Sequence, residues 1–279
     1  MSTLYVVATP IGNLEDLTPR ARKVLATVKV IAAEDTRRTG MLLAQSGIVA
    51  SDGNAEFIRL HDHNEQTSTD RILALLQKGQ NVAIVSDAGT PLISDPGYQV
   101  VRACHEADIA VVPVAGVSSV ATALSAAGLP TDRFAFEGFL PAKKTGREAR
   151  LTSLKNSDVT LIFFEAPHRI QQFIQSVVDI MGQDRELAIC RELTKTYEQI
   201  VTGSAGALLA RLKSDSIPAK GEFVVLVRAS ESSPEQLDVD ALLLALLEEL
   251  SPSRAAAVAA KVTEYSKSDL YDRALNLKV

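Results

Sequence analysis

The sequence predicts an α/β protein built of two sheet-containing lobes, with a small helical unit at the C-terminal end. Along the first 115 residues, short apolar runs alternate with helical patterns, which is typical of βαβ units and a parallel sheet. From residue 134 onward the apolar runs follow one another more closely, which indicates a second sheet that is partly antiparallel. A polar, proline-containing stretch at 229–238 then separates this sheet from three further helical patterns.

The first lobe is predicted over residues 1–115. Its predicted strands are 4–9, 28–33, 81–86 and 109–114, and its predicted helices are 18–27, 37–45, 66–77 and 97–107. Continuous apolar strands of this kind are buried on both faces of a parallel sheet. In such sheets ligands bind beyond the carboxyl ends of the strands, so we expect a site there.

The second lobe is predicted over residues 116–229. Its predicted strands are 134–139, 160–165, 186–193, 197–203 and 222–227, and its predicted helices are 117–127, 146–154, 169–181 and 205–213. The third and fourth of these strands are separated by only a few residues. A parallel crossover needs a longer connection, so we expect a mixed sheet with antiparallel pairs.

A small helical extension is predicted over residues 235–279. Strong helix formers occupy 239–250 and 253–265, and a third helix is predicted near 267–276. From residue 254 onward five basic residues stand against three acidic ones: Arg254, Lys261, Lys267, Arg273 and Lys278 against Glu264, Asp269 and Asp272. This weakly basic unit is equally compatible with a helix-turn-helix that touches nucleic acid and with packing against the body or a second subunit.

The composition is that of an ordinary globular protein: 46% of the 279 residues are hydrophobic, 23% are charged and the formal net charge is -5. A net negative chain does not attract polyanions as a whole, so any nucleic-acid contact is expected from a local basic surface. The only cysteines, Cys104 and Cys190, lie in apolar runs, which favours buried, reduced thiols and a cytoplasmic protein. The N-terminus lacks a signal-peptide pattern, and the uncharged stretch 109–131 is too rich in Gly, Pro, Ser and Thr for a membrane span.

The stretch Asp87–Gly97 is the most informative part of the chain, because a buried strand opens there into Asp, Gly, Thr and Pro. Pro91 and Pro96 stiffen the turns and exclude a helix. Asp87 and Asp95 then stand at the rim of the expected ligand site. A tight turn whose aspartates only cap backbone N–H groups is the alternative interpretation.

Two more turns are expected at the same edge of the first sheet. The turn after the first strand contains Pro10 and an isolated Gly12, so it lacks the G-x-G-x-x-G pattern of dinucleotide sites, and the chain has no P-loop motif. The turn after strand 109–114 brings Ser118 and Ser119 to a helix N-terminus, where unpaired N–H groups gather. Taken alone, this second turn indicates only a capped helix N-terminus. If it lies beside the Asp87 loop, as expected, it forms a second wall of the same pocket.

Several segments together resemble the tetrapyrrole methylase superfamily. They are VATPIGNLEDLTPRA, AAEDTRRT, LHDHNE, VSDAGTPLISDPG, LSAAGLPTDRFAFEGFLP, FFEAPHRI, RELTKTYE and KGEFVVLV. The resemblance covers roughly residues 3–228, the helical tail resembles a C-terminal extension found in one branch, and several long motifs are far more specific than one. It implies a two-lobed methyltransferase that holds S-adenosylmethionine between its lobes.

The resembling branch methylates the 2′-oxygen of a cytidine ribose in 16S ribosomal RNA, so the small ribosomal subunit is the expected partner, and a homodimer is implied. The resemblance assigns cofactor contacts to turns of both lobes. In this sequence they fall on Pro10, Asp87, Ala88, Gly89, Thr90, Ser118, Ser119, Phe164, Glu165, Leu193, Gly221 and Glu222. No metal is expected, because a sulfonium methyl donor is already activated and the enzyme mainly aligns it with the nucleophile.

A ribose hydroxyl is weakly acidic, so a proton acceptor is expected close to it, and Glu34 or Asp35 is our candidate. Both could instead pair with arginines and cap the helix that follows. RNA contacts are predicted from basic residues at strand ends and turns, namely Arg37, Arg38, His61, His63, His168, Arg169, Lys195 and Lys220. His61 and His63 have no companion ligands in sequence, which argues against a metal site.

Two other functions remain open from the sequence. A methyltransferase of the same superfamily could act on a tetrapyrrole precursor, although an aromatic content of 5% and the lack of tryptophan do not suit a broad apolar trough. A non-enzymatic protein could bind nucleic acid through the 239–279 helices and use the α/β body as a ligand sensor.

Overall fold

The computed structural model of the chain describes residues 2–61, 64–230, 239–263 and 265–277. The predicted linker beyond residue 230 and the predicted RNA contact His63 lie outside the described residues. The described chain forms two compact units, one of residues 1–154 and 159–228, the other of 155–158 and 229–279. The predicted domain boundaries at 115/116 and 235 stay predictions.

The first sheet is fully parallel, as the sequence predicts. Its strands are β1 (Thr3–Val7), β2 (Val30–Ala33), β3 (Glu56–Arg59), β4 (Val82–Val85) and β5 (Ala110–Val114), in the order β3-β2-β4-β1-β5. The strand β3 is missing from the sequence prediction. Only Ile58 of its four residues is buried, so its sequence carries neither a continuous apolar run nor a clear alternation.

The helices of this lobe are α1 (Pro19–Thr27), α2 (Thr36–Gln45), α3 (Glu65–Gln77) and α4 (Tyr98–Glu106), and short 3₁₀ segments occupy Leu14–Asp16 and Ala50–Gly53. Each helix agrees with its predicted position to within a residue. Thr18 caps α1 by accepting the backbone N–H of Ala21 at 3.1 Å, and Pro19 occupies the first helical turn. Apolar clusters cover both faces of the sheet, which explains its continuous apolar strands.

The second sheet is mixed. Its strands are β6 (Phe134–Phe139), β7 (Thr160–Glu165), β8 (Glu186–Arg191), β9 (Gln199–Ser204) and β10 (Phe223–Val227), in the order β6-β7-β10-β8-β9. The β6–β7 pair is parallel, whereas β10 runs antiparallel to β7 and β8, and β8 to β9. The helices are α5 (Ser119–Ala126), α6 (Lys144–Leu154), α7 (Ile170–Met181) and α8 (Ala205–Lys213).

Two apolar clusters cover the faces of the second sheet. On one face, α6, α7 and α8 pack over the sheet around Phe163 and Phe173, whose ring centroids are 5.2 Å apart. On the other face, α5 and Ile11 of the first lobe pack against Cys190 and its neighbours. Both cysteines are free and buried, as predicted, and burial raises the pKa of the Cys104 thiol to about 11 and that of Cys190 to about 12.

The C-terminal unit contains α9 (Val239–Glu249), α10 (Pro252–Ala259) and α11 (Lys267–Leu277), which share an apolar core of their own. The prediction that the middle helix extends to residue 265 is wrong. Lys261 and Val262 donate their N–H groups to the carbonyls three residues earlier, at 3.1 Å each, so the last turn tightens and the helix ends. In the described chain we find no helix with the length and apolar character that crossing a bilayer requires.

Candidate functional site

Hydrogen bonds join the three turns at the carboxyl edge of the first sheet. Thr9, after β1, and Gly89, after β4, exchange two of them, at 2.9 and 3.0 Å. The Thr90 hydroxyl donates to the carbonyl of Val117 at 2.8 Å and so joins the β4 loop to the turn after β5. The structure therefore brings the segments around Pro10, Asp87 and Ser118 together, because β4, β1 and β5 are neighbours in the sheet.

The Asp87 carboxylate holds the β4 loop against the start of α2. Its Oδ1 accepts the backbone N–H of Asp35 at 3.1 Å, and its Oδ2 accepts a guanidinium N–H of Arg38 at 3.0 Å. Further along the loop, Leu92 and Ser94 have φ values of 71° and 70°. Such left-handed conformations are costly for residues other than glycine, and they concentrate at functional sites.

The wall opposite this loop is built on a buried ion pair in the second lobe. Glu165, at the end of β7, is buried and accepts the N–H of Ala166 at 2.8 Å, and its Oε1 lies 3.1 Å from Nε of Arg169. Arg169 also donates to the carbonyl of Leu140 at 2.7 Å. Burial raises the pKa of Glu165, and the Ala166 N–H and the Arg169 charge oppose that rise.

A strained loop after β8 completes this wall. Glu192 and Thr194 have φ values of 52° and 63°. Glu192 accepts hydrogen bonds from the Lys195 ammonium and from the backbone N–H of Glu222, both at 2.9 Å, and Lys195 also donates to the Glu222 carboxylate at 2.9 Å. Burial favours the protonated form of Glu192, but these bonds outweigh it and lower its pKa. The Thr194 hydroxyl accepts the N–H of Asn13 at 3.1 Å, which links the loop to the turn after β1.

These walls enclose a cavity of about 440 Å³. A first group of lining residues comes from the first lobe: Ile11, Glu34, Arg38, Asp87, Ala88, Gly89, Thr90, Ile93, Ser94, Asp95, Ser118 and Ser119. The second group comes from the second lobe: Phe139, Phe164, Glu165, Ala166, Pro167, Cys190, Leu193, Gly221, Glu222, Phe223 and Val224. Every cofactor contact expected from the family resemblance lines the cavity except Pro10, whose neighbour Ile11 does so instead.

Three carboxylates of the first lobe, those of Glu34, Asp87 and Asp95, line the cavity. Burial of Asp95, followed by the charges of Glu34 and Asp87, raises its pKa to about 6, and a hydrogen bond with Ser86 opposes that rise. Asp95 is thus poised to exchange a proton near neutral pH, which is what a general acid or base needs.

Of the two proton acceptors predicted from sequence, Glu34 and Asp35, the second lies outside the cavity. Its carboxylate caps α2 by accepting the Arg37 N–H at 2.9 Å, and it forms an ion pair with the Arg37 guanidinium at 3.3 Å. These hydrogen bonds lower its pKa. Asp35 does not line the cavity, so of the two predicted acceptors the structure brings only Glu34 there.

Of the predicted RNA contacts among the described residues, only Arg38 lines the cavity. Arg37, His168 and Lys220 are exposed, whereas His61 and Lys195 are partly buried. Arg169 is engaged with Glu165 and the Leu140 carbonyl, a position that stabilises the second lobe. Within the ranges that the structure describes, no group of three or more His, Cys, Asp or Glu side chains is arranged to hold a metal ion.

Sequence reasoning missed several lining residues. They are Ile11, Ile93, Ser94, Phe139, Ala166, Pro167, Cys190, Phe223 and Val224. Most are apolar residues at strand ends, where a sequence pattern predicts burial without telling a cavity wall from a packed core. For Phe139 the sequence does contain a local indication of a site, because this residue follows Gly138 at the end of a predicted strand.

The chain matches two described families. Residues 3–209 match the tetrapyrrole (corrin/porphyrin) methylases, and residues 233–278 match the RsmI C-terminal HTH domain. The chain is 52% identical over 274 residues to ribosomal RNA small subunit methyltransferase I of Escherichia coli O157:H7, covering 98% of this chain and 94% of that protein. It is 46% identical over 277 residues to the protein of the same name from Pseudomonas aeruginosa, covering 98% and 96%.

Solved structures of similar fold include diphthine synthase, with a TM-score of 0.62 and 14% identity over 82% of this chain and 90% of that one. Another is uroporphyrin-III C-methyltransferase from Thermus thermophilus in complex with S-adenosyl homocysteine. Its TM-score is 0.54, with 17% identity over 82% of this chain and 97% of that one. At these identities the likeness concerns the fold alone.

Proposed function

The chain belongs to the tetrapyrrole methylase family and, within it, to the ribosomal RNA small subunit methyltransferase I proteins, and we propose that it methylates the 2′-oxygen of a cytidine ribose in 16S ribosomal RNA. S-adenosylmethionine is the methyl donor. The observation that carries the proposal is the cavity between the two sheets, where three first-lobe turns face β7, β8 and β10. Its volume of about 440 Å³ falls in the range of small-molecule sites.

The cavity lining suits a cofactor with a nucleoside and a positively charged sulfonium group. Ala88, Gly89 and Thr90 line one wall, and the apolar residues Leu193 and Val224 line the other. Carboxylates in the same cavity favour a cation by Coulomb attraction. We assign cofactor binding to the predicted residues that line the cavity, with Ile11 standing in the place expected for Pro10.

Bound S-adenosylmethionine supplies a methyl group that needs no further activation. The residues of this chain therefore have two tasks, to align the ribose hydroxyl with that methyl group and to accept its proton. Alignment alone can supply on the order of 7–11 kcal/mol of the barrier reduction. The hydroxyl oxygen forms the new C–O bond as the C–S bond breaks, and the hydroxyl proton passes to a carboxylate.

We assign the proton acceptor to Asp95, with Glu34 as the second carboxylate within the same cavity. A pKa of about 6 leaves Asp95 ionised at neutral pH and still basic enough to take a proton. Asp35 is less suited, because its carboxylate is engaged with Arg37 and has a lowered pKa.

The test is transfer of a labelled methyl group from S-adenosylmethionine to small ribosomal subunits that lack the modification. We expect the label on the 2′-oxygen of one cytidine, identified after nuclease digestion by mass spectrometry. Free 16S RNA is the parallel substrate. Failure with both would contradict the proposal, and labelling of a tetrapyrrole precursor instead would favour the alternative substrate.

The proposed substrate also suggests where the protein works and which surfaces contact RNA. Ribosomal subunits are cytoplasmic, so we propose a cytoplasmic enzyme. The exposed cations Arg37 and Lys220 are candidates for phosphate contacts, and the helices from residue 239 onward for a further RNA contact.

A homodimer is part of the same proposal. The strand β5 is at an edge of the first sheet, with Ala110 and Pro113 exposed and Val111 and Val112 partly exposed. Burial of such an apolar strand against a second copy would remove it from water. Light scattering on the purified chain measures the mass directly, and a mass of one chain across micromolar concentrations would contradict the dimer.

A further inference from the structure

Phe139 is an exposed aromatic side chain at the cavity. It ends β6, lines the cavity, and has 57% of its surface exposed. Ile93, with 41% of its surface exposed, is the other large apolar residue with comparable exposure among the described lining residues. Phe164, which lines the same cavity, is only partly exposed. A solvent-exposed aromatic ring at the edge of a ligand site offers a surface on which a planar group can stack.

A β-bulge turns Phe139 toward the cavity. In the β6–β7 pair, Phe136 is opposite Ile162 and Gly138 is opposite Phe163, so Glu137 is an extra residue. Residues 136 and 139 would lie on opposite faces of a regular strand, because side chains alternate. The bulge instead places both on the face of Ile162 and Phe164, as bulges that redirect side chains beside functional sites do.

Gly138 makes this bulge possible. Its φ of 64° lies in the left-handed region, which a glycine adopts without strain. A Cβ atom at this position would also lie 3.4 Å from the hydroxyl oxygen of Ser94, a cavity residue in the β4 loop. The bulge therefore holds Phe139 close to the first-lobe loop that lines the other side of the cavity.

Neighbouring aromatic rings fix the orientation of the Phe139 ring. Its centroid lies 5.6 Å from that of Phe164, at an interplanar angle of 65°, and Phe164 makes a similar edge contact with Phe136 at 4.8 Å. Edge contacts of this kind hold a ring without covering its faces. Phe139 is thus held in place by Phe164 and is still largely in contact with solvent.

We propose that Phe139 is the platform on which the base of the target nucleoside stacks, so that its ribose hydroxyl is held over the methyl donor; this inference rests on the proposed function. Proteins read unpaired RNA bases by stacking them on aromatic rings, and an enzyme that modifies a nucleotide within RNA has to hold it apart from its neighbours. The deeper lining residues suit the cofactor, which leaves the exposed rim for the RNA.

The chain that follows Phe139 supports an RNA ligand. Lys143 comes four residues later and is exposed, and Lys144, also exposed, begins α6 and pairs with Glu148 at 3.5 Å. The first turn of α6 contains no acidic residue. A phosphate beside the stacked nucleoside would therefore meet a cationic surface next to the aromatic platform, the combination that single-stranded nucleic-acid sites use.

The experiment compares Phe139→Ala, Phe139→Leu and Phe139→Trp with Phe134→Ala. Phe134 is the matched control, because it is on the same strand, is 49% exposed and does not line the cavity. We expect Phe139→Ala to raise the KM for small ribosomal subunits about 5- to 100-fold, the range for loss of one stacked base. Phe139→Leu should behave like Phe139→Ala, since it restores apolar bulk but no ring, whereas Phe139→Trp should retain activity.

Calorimetry on the same variants should give S-adenosylmethionine affinities within about twofold of the parent chain, since a twofold change is only about 0.4 kcal/mol. A KM for subunits that is equal in Phe139→Ala and Phe134→Ala would overturn the proposal. So would a loss of cofactor affinity as large as the rise in KM, because the ring would then serve the cofactor.

Fluorescence provides a readout that does not need turnover. The chain contains no tryptophan, so Phe139→Trp introduces a single indole at the cavity mouth. A cytidine-containing RNA oligonucleotide should quench its emission, and it should leave a Phe134→Trp control unchanged. Quenching by S-adenosylmethionine alone, or equal behaviour of the two indoles, would overturn the stacking proposal. If the parent chain labels no subunits, the proposed function fails, and this quenching still decides whether Phe139 stacks a base.

Discussion

The Asp95 carboxylate is kept in an environment that penalises its charge, with Glu34 and Asp87 close by and partial burial around it. The ordinary pKa is 3.8 and the folded value is about 6, so the native state binds a proton more tightly than the unfolded chain does. Stability therefore falls as pH rises from about 4 to about 6, and above that range the protein retains the unfavourable charge. Such a residue is kept at the cost of stability, which is typical of a functional group.

The variant Asp95→Asn should separate the catalytic role of Asp95 from its cost in stability. We expect methyl transfer to fall about 100-fold or more, the usual range for loss of a general base, with S-adenosylmethionine affinity retained. In the parent chain kcat/KM should rise with pH through about 6 and level off, and the variant should lack that rise.

The same variant should unfold at a higher temperature than the parent chain at pH 8, but not at pH 4, where both side chains are neutral. We expect a gain of about 1–2 kcal/mol at pH 8, reduced by solvent screening of a half-buried group. A variant that is equally active, or one that loses stability at pH 8, would remove Asp95 from the assignment.

The Glu165–Arg169 pair has a structural role that can be measured. Arg169→Ala would leave the buried Glu165 charge without its ion-pair partner, at a cost of about 3–5 kcal/mol in the free energy of unfolding. The double variant Glu165→Gln/Arg169→Ala should recover part of that loss, because the buried group is then neutral. Urea denaturation measures both, and a double variant no more stable than Arg169→Ala would contradict this explanation.

Among single residues, sequence reasoning predicted the backbone-built part of the site better than the side-chain chemistry. Gly, Pro and Ser at strand ends predict turns directly, and the family resemblance assigned the contacts there. The environment of a carboxylate cannot be predicted in this way. Asp35 and Asp95 look alike in sequence, but the pKa of Asp35 is lowered by Arg37 and that of Asp95 is raised by burial.

At the scale of elements, the turn after β1 and the loop after β8 pack directly on each other. A Cβ atom at Gly12 would collide with the Lys195 side chain and would lie 2.9 Å from the Thr194 hydroxyl oxygen. Thr194 and Glu192 hold left-handed backbone there, and their loop carries Leu193 into the cavity. The absence of a side chain at Gly12 thus lets these two walls of the cavity approach each other.

Gly12→Ala should weaken S-adenosylmethionine binding about 5- to 10-fold, as expected for loss of roughly one hydrogen bond and some displacement of Leu193. Gly40→Ala is the control, because Gly40 lies within α2 and nothing occupies the space around it. That substitution should raise helix stability by up to about 1 kcal/mol and leave binding unchanged. Calorimetry and thermal melting test both, and equal cofactor affinities for the two variants would contradict the packing argument.

Most elements could be predicted from sequence, because apolar runs between turn residues are strong signals in an α/β fold. The failures have physical causes. The strand β3 is stabilised by pairing with β2, and only Ile58 of its residues is buried, so its sequence lacks an apolar run. The helix α10 ends at Ala259 because its last turn tightens, although helix formers continue in the sequence. The β6 bulge is a consequence of local φ at Gly138 and has no periodic signature.

For the molecule as a whole, the sequence predicts a separate C-terminal unit but not what that unit contacts. The C-terminal helices have their own apolar core, which includes Leu243 and Leu270, and they match a helix-turn-helix family. Among the residues that the structure describes, those that line the cavity all belong to the α/β unit. We therefore expect cofactor binding and RNA binding to respond differently to removal of the tail.

A chain that ends at Arg228 should bind S-adenosylmethionine within about twofold of the full chain, because every lining residue in the described part of the chain is kept. Its KM for small ribosomal subunits should rise and depend less on salt concentration, since phosphate contacts are lost. Retained transfer with an unchanged KM would show that the tail does not touch RNA. If the full chain transfers no methyl group and removal of the tail abolishes RNA binding, the ligand-sensor alternative is favoured.

The cavity between the two sheets is expected to hold S-adenosylmethionine, and calorimetry on Asp87→Ala measures whether it does. Removing this carboxylate frees the backbone of Asp35 and the side chain of Arg38 and loosens the loop that forms one wall. We predict at least tenfold weaker binding, with the exposed control Asp70→Ala unchanged. Equal affinity of Asp87→Ala and the parent chain for S-adenosylmethionine would contradict the claim.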